Sequence, residues 1–176
     1  FWKPWPGDPE TRPAPVREAI YKQFRTYGAD DRPVLVSEVG YGSFPDIEAN
    51  CERYEREGPP ETPDWRYHRE LRDSLRHVMS EHGLHDVFTD AQDLCRQTQE
   101  IQARGNAEQL EALRINRKAG GYCTHAFTDG DWVVGAGILD IWRDPKPVFD
   151  AVKAVQRPLY LAVRVRPRNL YASGRA

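Results

Sequence analysis

Glu38 is the side chain best placed in this sequence to do chemistry. The run Pro33-Val34-Leu35-Val36 is apolar, without polar alternation, and leads into Ser37-Glu38-Val39-Gly40-Tyr41-Gly42-Ser43. Such a run predicts a strand covered on both faces, as in the interior of a parallel sheet. A carboxylate then stands at the strand's C-terminal tip, the end at which α/β barrels carry their reacting groups. A Glu there, followed at once by small residues and an aromatic, is a candidate for catalysis. The same pattern also fits a surface Glu that opens a loop after an ordinary core strand.

Other chemistries find less support. His82 and His85 lie three apart near His77, around Gly83, and no Cys or paired acid joins them at the spacing a zinc site needs. Ser37 lacks the Gly-x-Ser-x-Gly frame of a serine hydrolase. Gly40-x-Gly42 lacks the third glycine and the helix of a dinucleotide loop. Cys51, Cys95 and Cys123 are odd in number and widely spaced, which fits neither a disulfide framework nor a metal knuckle. No metal and no cofactor is expected.

The elements that would position Glu38 can be read around it. The 176 residues carry a net charge of −2 with 30% charged side chains, enough for one real core and without a field that draws nucleic acid or a membrane. Arg164, Arg166 and Arg168 read as a solvated strand edge. No apolar stretch is long enough to span a bilayer, and no signal pattern opens the chain. With Phe1 in place of Met, an excised or processed piece is expected.

Val16, Ile20 and Phe24 predict a helix over 15–27, closed by Gly28. Residues 44–63 read as an irregular polar excursion. Helices follow from Asp64 to about Gly83, with Leu71, Leu75, Val78 and Met79 inward, and over 90–118, with Gly105-Asn106 as a kink or break. Gly120-Gly121 would stop the second helix, and Tyr122–Phe127 would form the next strand. Asp144-Pro145-Lys146-Pro147 leads into a short helix to about Val155, and 159–165 starts another strand. Helix, strand, helices, strand, helix describes two β/α units of a parallel barrel or sheet. Two parallel strands cannot bury both faces alone, so a part of a fold is expected.

These pieces resemble glycoside hydrolase family 2, the β-galactosidases, β-mannosidases and β-glucuronidases. Pro33 through Gly40, with Ser43 and Pro45, is similar to its seventh barrel strand. Gln99 to Ala103 and Glu108 to Arg114 resemble the helix before its eighth strand. Gly121 to Asp129, Gly137 to Asp140 and Pro145-Lys146-Pro147 resemble that strand and the closing helix. The resemblance implies an α/β chain forming the C-terminal portion of a (β/α)8 TIM barrel, about the seventh and eighth units, over residues 1–157. Residues 158–176 would be a linker and the first strand of a following β-sandwich. The Ser-Glu-x-Gly-x-x-Ser-x-Pro pattern leans towards mannosidase-like members.

The resemblance further implies a retaining glycosidase acting on β-linked sugars by double displacement, with two carboxylates about 5–5.5 Å apart. Glu38 aligns with the nucleophile. The family's acid/base lies in an Asn-Glu pair that this chain lacks, so the isolated piece is expected to be inactive. Carbohydrate is the expected ligand, and the remaining barrel and sandwich domains of a parent protein are the expected partners. His125 stands where the family commonly has Trp, as a sugar hydrogen-bonder or a satisfied core histidine. Asp129 and Trp132 match the loop beyond, to bind or frame the sugar, or to serve as turn and packing residues. Tyr41 joins the substrate-binding set. Trp2 and Trp5 would stack on a sugar ring or pack on their own barrel. The alternative is a non-catalytic carbohydrate-binding or structural barrel remnant.

Overall fold

A computed structural model describes residues 32–58, 62–130 and 134–162. The expected 15–27 helix, Trp2, Trp5, Trp132 and the strand expected after Leu159 fall wholly or largely outside them. The chain is α/β: β1 (Val34–Val39), α1 (Ile47–Glu57), α2 (Pro63–Glu81), a 3-10 turn (Leu84–Asp86), α3 (Ala91–Ile115), β2 (Ala119–Thr124) and α4 (Pro147–Val155). β1 and β2 pair in parallel, with α3 in the crossover between them.

One core lies behind this strand pair. Val39, Leu110, Leu113, Ile138, Val148, Val152 and Val155 are buried together, with Val36 and Tyr122 packed against them. Burying an aliphatic side chain of that size contributes about 1.5–3 kcal/mol. Leu35, by contrast, is 67% exposed. The expectation of a strand covered on both faces is therefore corrected: among the described residues only one face of β1 is covered.

The excursion over 44–63 is also corrected, because it contains α1. The Asp46 carboxylate accepts the Ala49 N–H at 3.1 Å, and Ile47, Asn50 and Cys51 form a narrow buried stripe. So few apolar positions in a charged segment give little periodicity to read. α2 begins one residue before the expected Asp64 cap. Thr62 caps it by accepting the Trp65 N–H, and Pro63 occupies the first turn, where its missing donor costs nothing. Its buried face includes Trp65 and His68, whereas Val78 is 41% exposed. A second core joins Ile47, Leu75, Met79, Ala91, Leu94 and Cys95.

α3 runs unbroken through Gly105-Asn106 and ends at Asn116, whose N–H returns to the Leu113 carbonyl. Gly120 and Gly121 belong to β2 rather than stopping the helix. The pair α1–α2 is tied to the loop before α4. The Trp142 indole donates to Asn50 Oδ1 at 3.0 Å, Arg53 meets Asp144 at 2.9 Å, and the Tyr54 ring lies edge-on to Trp142.

Candidate functional site

Strict alternation would place Glu38 on the same face as Val36, against the core. A register irregularity prevents this. Val36 pairs with Tyr122 and Val39 with Thr124, so β1 spends three residues where β2 spends two. This bulge leaves Ser37 and Glu38 both exposed and returns Val39 to the core. Bulges commonly re-aim a side chain at barrel rims and active sites. Val39 pairs with Thr124 and its carbonyl takes the His125 N–H at 2.9 Å, which brings the two strand tips together. Glu38 and His125 are both exposed there.

The strand tips approach so closely that Gly40 is required. A Cβ on it would sit 2.4 Å from the His125 carbonyl oxygen. Beyond Gly40, Tyr41 is held on both sides of its backbone and by its ring. Asn106 Oδ1 accepts its N–H at 3.4 Å, Asn106 Nδ2 donates to its carbonyl at 3.2 Å, and its ring lies on Gly105 where a Cβ would come within 2.5 Å. Phe44 is clamped likewise: its N–H reaches Thr98 Oγ1 at 3.0 Å and Gln99 donates to its carbonyl at 3.2 Å. The polar stripe Thr98, Gln99, Gln102 and Asn106 of α3 thus fixes the loop leaving β1.

The loop leaving β2 is organised around Asp129. A carboxylate expected to meet sugar is instead buried: it accepts the Gly137 N–H at 2.6 Å and pairs with Lys146 at 3.2 Å. Burial pushes the Asp129 carboxyl above its usual range and the Lys146 ammonium below its own, and each partner's charge opposes the other's shift. Asp129 therefore shapes the loop from a buried position. Lys146 Nζ also donates to the Gly135 carbonyl at 2.9 Å. Gly135 has φ +84°, and a Cβ there would overlap the Ser43 carbonyl.

Glu38 and His125 are thus exposed at adjoining strand tips, which form an open rim; Tyr41 is half-buried in the loop leaving β1, and Asp129 is buried in the loop leaving β2. Gln102, Asn106 and Lys146 escaped the sequence reading. The recurrence of Gln99, Gln102, Asn106 and Gln109 along one stripe of α3 was the available signal. Among the described residues no group of three or more His, Cys, Asp or Glu could hold a metal. No helix among them is long and apolar enough to cross a membrane. Neither Glu38 nor His125 lines either of two clefts, one lined by Glu48, Arg76 and His85, the other by Phe127, Phe149 and Val152.

The chain matches no family model and no curated protein. Among solved structures it is similar to a β-D-mannosidase from Dictyoglomus thermophilum. That similarity is 24% in sequence identity over 75% of this chain and 17% of the mannosidase, with a TM-score of 0.42. A likeness of that degree carries no argument about function.

Proposed function

We propose that the chain is the C-terminal part of a retaining β-glycosidase barrel of the family 2 kind, with Glu38 as nucleophile. The observation that carries the reading is the bulge that turns Glu38 out of the core at the C-terminal tip of a parallel strand, beside His125. An ionised Glu38 would attack the anomeric carbon and displace the leaving oxygen, and water would then release the sugar from the glycosyl ester. His125 would donate a hydrogen bond to a sugar hydroxyl. The proton donor comes from a second carboxylate outside this sequence, since the chain has no Asn-Glu pair.

In the enzyme that carries this chain, Glu38→Gln removes the nucleophile with little change of shape. Turnover of an aryl β-glycoside should fall by a factor on the order of 10³ or more, while sugar binding stays measurable. Retained turnover would take Glu38 out of the mechanism. A non-catalytic barrel remnant is the second reading, favoured by the burial of Asp129, which leaves the rim with one fewer polar group for a sugar.

A further inference from the structure

We propose that Lys146 is a positioning residue for the Glu38 strand tip, acting through the carbonyl of Gly135. That oxygen is where the loops leaving both strands meet. It accepts the Ser43 N–H at 2.9 Å and lies 3.0 Å from Ser43 Oγ, 3.2 Å from Gln102 Nε2 and 2.9 Å from Lys146 Nζ. A carbonyl oxygen has two lone pairs, so four donors exceed its capacity. The Ser43 hydroxyl has one proton and an alternative acceptor, Gln102 Oε1 at 2.9 Å. Gln102 Nε2 has two, the carbonyls of Ala136 and Gly137.

Lys146 is the charged donor of the four, and a charge-assisted hydrogen bond is about twice as strong as a neutral one. Its side chain is 4% exposed and that of Asp129 1% exposed, so water has little access to replace either. Asp129 neutralises the ammonium and also takes the Gly137 N–H. The pair therefore fixes both ends of the Gly135–Gly137 segment, and that segment holds Ser43. Between Glu38 and Ser43 the chain is pinned at Gly40, against the His125 carbonyl, and at Tyr41, between Asn106 and Gly105. Without the ammonium the Gly135 carbonyl keeps only neutral donors, each of the two side-chain ones with another acceptor in reach, so the Ser43 anchor loosens and the tip carrying Glu38 shifts relative to His125.

The catalytic consequence rests on the glycosidase reading of Glu38; the hold on Ser43 does not. The test uses Lys146→Met, Lys146→Arg and the charge-free Asp129→Asn/Lys146→Met pair in the full-length enzyme. Hydrogen exchange at the Ser43 amide and turnover of an aryl β-glycoside are measured together. In Lys146→Met the Ser43 amide should exchange about tenfold faster relative to amides inside α3. kcat should fall about 10²-fold, as expected for a misplacement of about 1 Å, with KM changed by less than about threefold. Lys146→Arg should recover part of both losses. The double variant should fold and still show the faster Ser43 exchange. Unchanged Ser43 exchange in the double variant would overturn the proposal, as would loss of folding in Lys146→Met with ordinary exchange and turnover in the double variant. If Glu38→Gln keeps full turnover while Ser43 exchange still responds to Lys146, the hold stands and the glycosidase reading fails.

Discussion

Glu38 owes its exposure to one surplus residue in β1, and that surplus depends on a partner strand more than eighty positions later in the chain. The carboxylate and its strand were legible because an apolar run and a following glycine are local signals. The bulge was not, because register is a property of two strands. The burial of Asp129 was not legible for the same reason: its partner Lys146 is 17 residues away, and nothing beside Asp129 announces an ion pair. At Gly105, alanine would ordinarily stabilise a helix by about 0.5–1 kcal/mol. Here it meets the Tyr41 ring, so Gly105→Ala should instead destabilise by roughly 1–3 kcal/mol. Adding Tyr41→Ala should recover part of that loss in a denaturant-melt double-mutant cycle, and simple additivity would contradict the contact. Burial raises the Cys51 and Cys95 thiols to about 11, whereas Cys123 is exposed. A thiol reagent at pH 8 should therefore label Cys123 and spare the other two until the chain unfolds. Each raised thiol keeps its proton in the folded state after the unfolded chain has lost it. Stability should fall between pH about 9 and about 11, by on the order of 1 kcal/mol per pH unit per thiol. A flat stability profile over that range would show the thiols to be less buried than described.

At the scale of elements, α2, α3 and α4 were largely legible because each carries an apolar stripe or a cap that one sequence window contains. α1 was not: its buried side holds Asn50 and Cys51 as well as Ile47, and its other positions are mostly charged. The expected break at Gly105-Asn106 failed because tertiary contacts overrode propensity; the glycine seats a ring and the asparagine clamps a backbone. Capping is where the helices are locally vulnerable. Asp90 accepts the Asp93 N–H at 2.7 Å at the start of α3. Asp90→Ala should lower stability by about 1 kcal/mol in a denaturant melt. An unchanged midpoint would mean that packing, not the cap, sets this helix start.

For the whole molecule, two parallel strands have one face covered and leave Leu35 and Glu38 exposed. An open face with unpaired edges among the described residues favours association. The isolated chain should scatter light increasingly with concentration, and a clean monomer at high concentration would speak against a missing cover. What would cover that face was not legible in the residues of β1 themselves. The reason is physical, since a strand's sequence does not name the partner that packs on its far face. The glycosidase reading itself comes down to whether Glu38 bonds to a sugar. On that reading, a 2-deoxy-2-fluoro-β-glycoside with an activated phenol leaving group, given to the full-length protein, would release the phenol and leave the sugar esterified to the nucleophile. Peptide mass spectrometry should find the added sugar on the segment containing Ser37–Tyr41, at Glu38. A label on another carboxylate, with that segment unmodified, would contradict it.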